Sequence, residues 1–445
     1  MEYQGRSVKC VLSDLLHLDL LDGFGSHDLD WILNKDLSPS DYPEGANARS
    51  VAAAQLVRSL TKKFVDGQAD ERTKAAAYKT WRECNEACKD YSFAPEELGP
   101  YDEIIVGEFR QIIWDFFNPD GFPLLTMSAI LPHVDHGPGS APLLKDKLSF
   151  MDKLGFCQLT SSSQLVEDLY YEWVQDRSLR VDCEIARILS YGPVHRVDAT
   201  PLVNVPKSDV TDRLIKTEPL LNMFFQKGIQ TVLEGRLAEF FGIDLSIQPV
   251  LNAELAELGS LNRAFATIDL KTASDLISCK FLRDFLPPEA YRFLSVFRSA
   301  RCLVDEQSTD LHMFATMGNA FCFPLQTVVF ACMVHAVYRS LGIKLTRNRK
   351  ITRLRGTIDQ VLVPANWGVF GDDIIVVEDA YKPICRLLKS FGMVPNTTKS
   401  YSGSFCCFRE SCGSDFWNGQ NVRGVYIKSL STKQDRCVSF NRLAV

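Results

Sequence analysis

Residues 369–377 read VFGDDIIVV, and the fold turns on how this stretch is read. Gly371, Asp372 and Asp373 stand between two apolar runs. Trp367, Val369 and Phe370 lead in, and Ile374, Ile375, Val376 and Val377 lead out. β-Branched and aromatic residues on both sides of a Gly-Asp tip predict a β-hairpin. Such a tip lifts two adjacent carboxylates out of a buried sheet, where hard divalent cations find oxygen ligands. Taken alone, the triplet is better read as an acidic hairpin turn in solvent, since at average composition it arises by chance in roughly one chain in ten of this size. The rest of the chain has to decide between the two.

The composition is that of an ordinary globular protein: 445 residues, 46% hydrophobic and 23% charged, enough for about two to four lobes around a large core. No apolar run reaches the roughly 18 residues of a membrane span; the longest, Thr327 to Tyr338, is interrupted by His335. The N-terminal MEYQGRSVKC has no apolar signal core, so nothing marks the chain for export. Fourteen scattered cysteines without framework spacing predict reduced thiols in a cytosolic setting. Cys406, Cys407 and Cys412 lack C-x-x-C pairs, and His133 and His136 in HVDH read as a loop beside a Gly-Pro-Gly turn rather than a metal site. A net charge of −6 argues against a uniformly basic coat for nucleic acid and leaves room for local basic clefts.

The first 195 residues read as helical scaffold, with helix-like stretches at 11–21, 46–65, 69–88, 101–117, 163–175 and 181–190. Character changes near residue 196. RVDATPLVNVPKSDVTDRLIKTEP (196–219) alternates β-branched residues with charges and predicts two strands joined by a turn. Its cations Lys207, Arg213 and Lys216 are expected on one side of the ribbon, either as edge guards or as a clamp for phosphates. A helix capped by Gly242 follows over 220–243. Phe265 to Leu270 is a short strand with Asp269 at its end, and a helix is expected from about Ser274, with Asp275 at its opening. A carboxylate at the end of a strand is where sites gather ligands; an N-cap is the ordinary use of Asp275. In TMGNAFCFPLQTVVFACMVHAVYRSLG (316–342) a Gly-Asn loop feeds a long apolar helix. There Thr316, Gly318 and Asn319 offer a closely approachable backbone and polar groups. RNRKITRLR then carries Arg347, Arg349, Lys350, Arg353 and Arg355, a solvated face or a contact for a phosphate backbone. A helix over 381–393 ends at Gly392, and Lys399 and FRESCG (408–413) follow.

Asp269 at a strand end and Asp372 and Asp373 at a hairpin tip can share one sheet. Carboxylates so placed hold two Mg²⁺ ions about 3.5–4 Å apart for phosphoryl transfer. With cations for a triphosphate upstream, and Asp275 and Asn319 available for a ribose-sized polar pocket, this is the layout of a palm-type nucleic-acid polymerase.

At these residues the sequence resembles the RNA-directed RNA polymerase (replicase beta subunit) of the single-stranded RNA bacteriophages, the leviviruses. ATIDLKTASDLIS, TMGNAFCFPLQ and FGDDII are similar to the family's three palm motifs in order. VPKSDVTDR, EPLLNMFFQKGI and FGIDL resemble its fingers, and FRESCG is specific to the group. The resemblance is strong over about 196–428. It implies that Asp269, Asp372 and Asp373 are catalytic metal ligands for two Mg²⁺ ions, with Mn²⁺ as a substitute. It implies nucleotide binding by Lys207, Arg213, Lys216, Asp275, Thr316, Gly318 and Asn319, protonation of pyrophosphate by Lys399, and bracing by Arg409 and Glu410.

The fold implied is α+β, a right-hand polymerase with an antiparallel palm sheet. Residues 1–195 would be the helical N-terminal region and fingers, 196–262 the fingers with the basic nucleotide-entry motif, and 263–428 the palm with an insertion near 343–366. Residues 429–445 would start a truncated thumb. The partners implied are an RNA template, ribonucleoside triphosphates, the host elongation factors Tu and Ts and a ribosomal protein, with no membrane, in the cytoplasm of a bacterial host. Lys271 stands where the family has a small residue, Ala320 where it has glycine, and Pro324 and Gln326 where it has two glutamates. Two rivals remain: a catalytically impaired RNA-binding fragment lacking its thumb, and a reverse transcriptase.

Overall fold

The computed structural model describes residues 38–43, 45–62, 71–137, 149–208, 211–346 and 365–443, with a few isolated residues besides. The apolar segment at 11–21, residues 138–148, most of the insertion expected near 343–366 and the side chains of the basic run from Arg347 to Arg355 lie outside them. In chain order the main helices are α1 (Ala48–Lys62), α2 (Glu71–Asp90), α3 (Pro100–Phe117), α4 (Gln164–Gln175), α5 (Ser178–Tyr191), α6 (Leu220–Arg236), α7 (Gln248–Asn262), α8 (Cys279–Phe285), α9 (Pro288–Phe297), α10 (Cys322–Ser340) and α11 (Glu378–Ser390); shorter or peripheral helices lie at Met127–Ile130, Phe150–Gly155 and Lys433–Leu443. The strands that matter to the site are β1 (Thr200–Pro206), β2 (Asp212–Lys216), β3 (Phe265–Ile268), β4 (Arg301–Val304), β5 (Gln307–Asp310), β6 (Gly368–Phe370), β7 (Asp373–Val377), β8 (Phe408–Ser411) and β9 (Ser414–Trp417). The protein is α+β.

The hairpin forms where its residues predict it. β6, β7 and β3 make an antiparallel sheet in that order. Phe370 pairs with Asp373, so the loop is only Gly371 and Asp372. Gly371 takes φ +59° at the first loop position, where a two-residue hairpin favours glycine. Alternation then sorts the run that follows onto two buried faces. Ile375 packs against Leu255 and Ala256 of α7, while Ile374 and Val376 join the main core with Val369 and the apolar side chains of α10 and α11. An apolar run without polar breaks is what a strand covered on both faces requires. α10 is long and apolar enough to cross a membrane, yet here it is a core helix, buried and packed against α3 and α11. Its Tyr338 hydroxyl donates to Asn366 O (2.7 Å) and accepts from Val377 N–H (2.8 Å), tying helix to sheet.

A second sheet runs β5-β4-β1-β2. The ribbon predicted at 196–219 is β1 and β2, antiparallel, with Leu202 opposite Lys216 and Val205 opposite Arg213. The expectation that its cations share one side does not hold. Arg213 and Lys216 are three residues apart on one strand, and a period of two puts them on opposite faces; Arg213 is exposed and Lys216 buried. A second expectation also changes. The helix expected from Ser274 is delayed: residues 273–276 form a 3₁₀ turn, and α8 begins after Ser278, whose hydroxyl accepts from Phe281 N–H at 2.9 Å. Asp275 is therefore not the N-cap; the serine three residues later meets that need. Gly242 and Gly392 end their helices at φ +73° and +79°, as C-caps.

Candidate active site

Strand register brings the carboxylates together. Ile268 pairs with Ile374, so Asp269, the next residue, stands across from Asp373, with Asp372 at the turn beside it. The loop at 396–400 cradles Asp269. Asn396 donates its side-chain N–H to Asp269 Oδ2 (2.7 Å) and its backbone N–H to Asp269 O (2.8 Å). Ser400 Oγ accepts from Asp269 N–H at 3.1 Å, and the Lys399 ammonium lies 3.9 Å from Oδ2. Asp373 Oδ1 accepts from Cys412 N–H at 3.1 Å.

Burial raises the Asp269 carboxyl above its ordinary range; Lys399 and the Asn396 hydrogen bond oppose this, and the charges of Asp372 and Glu410 add to it. Burial pushes Asp373 up to about 7 against the Cys412 N–H, with Asp372, Asp269 and Glu410 adding. The site is thus a group of mutually repelling carboxylates that a cation would relieve. Among the described residues no three His, Cys, Asp or Glu side chains close into a metal cage. The donor set nevertheless fits Mg²⁺, which is commonly held by one or two carboxylates together with substrate phosphates rather than by an all-protein cage.

Cations and polar groups surround the carboxylates. Lys207, just after β1, is held below the ordinary lysine range by partial desolvation of its ammonium and by Arg213 and Lys399, while Asp269 and Asp372 pull it the other way. It is therefore within electrostatic reach of the acidic cluster. Burial raises Asp275 to about 6 against a Ser274 hydrogen bond and the charges of Arg213 and Lys207. Lys399 thus stands beside Asp269, Lys207 interacts with Asp269, Asp372, Lys399 and Arg213, and Asp275 interacts with Lys207 and Arg213.

Lys216 does not. Its ammonium is buried, paired with Glu218 at 2.8 Å and 3.5 Å from Ser299 O, and Ser299 in turn donates to Glu218. Its backbone has a different use. Lys216 N–H donates to Met317 O (2.9 Å), and its carbonyl presses on Gly318 so closely that a Cβ there would collide with it; Gly318 sits at φ +109°. In the same loop Thr316 O accepts from Asn319 N–H (3.1 Å), and Asn319 Oδ1 accepts from Phe321 N–H (3.0 Å). Asn319 is 6% exposed and its Nδ2 has no partner among the described residues, a donor kept free.

The profile of the RNA replicase beta-chain family matches residues 178–444, which include every carboxylate and cation described above. The chain belongs to that family. It is 33% identical over 249 residues to the RNA-directed RNA polymerase beta chain of Enterobacteria phage GA, covering 56% of this chain and 42% of that one. To the beta chain of Escherichia phage MS2 it is 37% identical over 224 residues, covering 50% and 37%. To the RNA-directed RNA polymerase subunit beta of Escherichia virus Qbeta it is 35% identical over 227 residues, covering 51% and 35%. The match therefore spans only about two fifths of these relatives' length. Among solved structures, the BmCPV RNA-dependent RNA polymerase at elongation state is 11% identical with a TM-score of 0.42, covering 76% of this chain and 30% of that one, a likeness too low to assign a fold.

In this member of the replicase beta-chain family, several residues that hold the site were not legible as site residues in the sequence. Thr327 Oγ1 accepts from Gly371 N–H (3.1 Å), and the Phe323 ring meets Phe370 edge-on at 4.7 Å, so the first turns of α10 support the hairpin tip. A Cβ on Gly371 would strike that Phe323 ring. Asn252 of α7, fully buried, donates to Asp373 O and to Ser411 Oγ, each at 3.3 Å. The available signal was a pair of amides, Gln248 and Asn252, four apart on a helix that also buries Leu251 and Leu255. Arg409 of β8, which the resemblance already named with Glu410 as a brace, is also fully buried: its guanidinium donates to Phe265 O (2.6 Å) and to Cys406 O and Phe408 O (2.8 Å each), with Glu378 at 3.8 Å. Glu410 lies 3.6 Å from Arg423.

Proposed function

We propose that this chain catalyses template-directed addition of ribonucleotides to RNA, as an RNA-directed RNA polymerase of a single-stranded RNA bacteriophage. The single observation that carries this reading is the register that sets Asp269 across from Asp373, beside Asp372, with Lys207 facing the same cluster. In this reading β3, β6 and β7 are the palm sheet, and β1 and β2 belong to the fingers.

Asp269 and Asp372, with Asp373 beside them, would hold Mg²⁺, which when bound supplies charge stabilisation to the attacking and leaving oxygens. Lys207 and Arg213 would bind the incoming triphosphate. Arginine suits phosphate through its fork of donors, and lysine acts as a point charge. The free Asn319 amide and the Asp275 carboxyl would read the ribose hydroxyls, a 2′-OH being both donor and acceptor. This favours ribonucleotides over the deoxyribonucleotides a reverse transcriptase needs. Lys399, already beside Asp269, would deliver a proton to the departing pyrophosphate, a general-acid role. Lys216, whose ammonium is buried against Glu218, would in this reading fix the loop that carries Gly318 rather than meet the triphosphate. The host elongation factors Tu and Ts, a ribosomal protein and the cytoplasm of a bacterial host belong to the same proposal through resemblance.

The test is Mg²⁺-dependent incorporation of labelled ribonucleotide on an RNA template by this chain and by Asp372→Asn, each with and without the bacterial elongation factors. Incorporation that falls by about a hundredfold or more in the variant supports the reading. No incorporation by either chain, with RNA binding intact, would leave an RNA-binding fragment. Preference for deoxyribonucleotides would indicate a reverse transcriptase instead.

A further inference from the structure

The two hairpins that frame the carboxylates belong to different sheets. β7 lies in the β6-β7-β3 sheet, and β8 pairs with β9 in another. They converge at one place, the start of β7 and the end of β8. There Asp373 takes a hydrogen bond from Cys412 N–H on its carboxylate, and Asn252 Nδ2 donates to both Asp373 O and Ser411 Oγ. One side-chain amide thus bridges the strand that carries Asp373 and the strand that leads into Cys412.

The amide has a defined direction. Gln248 Nε2 donates to Asn252 Oδ1 at 2.9 Å, so the oxygen is occupied on the helix side and the NH₂ group turns toward the strands. Space is made for it from the opposite side as well: a Cβ on Gly368 would collide with Asn252 Oδ1. Asn252 is 0% exposed. A buried amide is costly where it is left unbonded, and an apolar side chain would fill this position in α7 between Leu251 and Leu255 without that requirement. What the amide adds is direction.

We infer that Asn252, oriented by Gln248, is a positioning residue that fixes where the Asp373 carboxylate stands relative to Asp269 and so sets the affinity of the site for divalent cations. This rests on the reading of the carboxylates as a cation site. Without the amide, Asp373 keeps its bond from Cys412 and its place in the sheet beside β3, but Asp373 O and Ser411 Oγ lose the donor they share, and the start of β7 that carries the carboxylate is held less firmly.

The experiment measures Mn²⁺ binding to the full chain by electron paramagnetic resonance, without RNA or nucleotide, alongside thermal melting in EDTA. The chains compared are the unsubstituted protein, Asp372→Asn, Asn252→Leu and the milder Gln248→Met. Supporting residues around metal ligands typically change affinity 10- to 100-fold. Asn252→Leu is expected to weaken Mn²⁺ binding about tenfold and Gln248→Met about threefold, each beyond any change in melting. A lowered melting temperature with unchanged Mn²⁺ affinity overturns the inference and leaves Asn252 a packing residue. Should Asn252→Leu fail to fold, Gln248→Met decides: folded with unaltered affinity, it too overturns the inference. Absence of Asp372-dependent binding in the unsubstituted chain would instead remove the cation reading itself, and this inference with it.

Discussion

Asp275 shows how much a single side chain depends on its surroundings. In sequence it reads as an N-cap, but in the structure it sits in a 3₁₀ turn, and burial lifts its carboxyl from 3.8 to about 6. A carboxyl whose folded pKa exceeds its unfolded value favours folding when protonated. That contribution is complete below about pH 4 and is lost as pH rises through about 6. At roughly 1.4 kcal/mol per pH unit it amounts to about 3 kcal/mol. Melting the protein and Asp275→Asn across pH 4–8 should therefore show the variant gaining on the parent by about that amount between pH 4 and pH 7, and nothing further above it. A difference that stays flat across the range would show that Asp275 is not perturbed. Gly318 illustrates the same dependence on surroundings, since its φ of +109° and the Lys216 carbonyl against it exclude any side chain. The sequence marks it only as a glycine beside an asparagine.

At the scale of an element, α5 runs against the usual reading of an amphipathic helix. It buries Glu184 and Arg187 and turns Leu179 (72% exposed) and Leu189 (82% exposed) to solvent. The rotation is specified by bonds. Arg187 donates to both Glu184 oxygens (2.8 and 2.7 Å) and to Cys157 O and Gly192 O, while the Tyr170 hydroxyl donates to Glu184 at 2.9 Å. Removing one member leaves the other charge buried without its partner, which costs about 3–5 kcal/mol. Arg187→Met should lose that much stability in urea unfolding, and the double variant Arg187→Met, Glu184→Leu should recover much of it. Equal losses in the single and double variants would show that packing, not the unpaired carboxylate, carries the effect. Periodicity identified this helix at 181–190 but could not say which face turns inward, because a buried ion pair reverses the ordinary sorting.

Across the whole molecule the thiols offer a test of the tertiary structure. The thirteen cysteines of the described residues are all free, and only Cys183 and Cys437 are exposed. Burial raises Cys88 and Cys322 far above the ordinary thiol range and Cys412 to about 12. Because the thiolate is the reactive form, brief alkylation of the native chain should label Cys183 and Cys437 first among the thiols of the described residues. The buried thiols should follow only on unfolding, as peptide mass spectrometry would show. Early labelling of Cys88 or Cys322 would mean that α2 or α10 is not packed as described.

The local elements were determined by the sequence alone. β-Branched runs around Gly371 make a hairpin with a two-residue loop, and Gly242 and Gly392 end helices, because backbone preferences and alternation act over a few neighbouring residues; the strand expected over Phe265 to Leu270 instead stops at Ile268, with Asp269 between it and a short strand, Leu270–Lys271, paired to Val394–Pro395. The family likeness was legible there too, since it is carried by short contiguous motifs. What only the tertiary structure decided is which groups meet. Lys216 stands three residues from Arg213 yet faces a buried Glu218, and Asn252 reaches Asp373 across 121 positions of chain. Those outcomes depend on strand faces and on the register between distant segments, and pairing energies of that kind are set by the packed core rather than by any local stretch of residues.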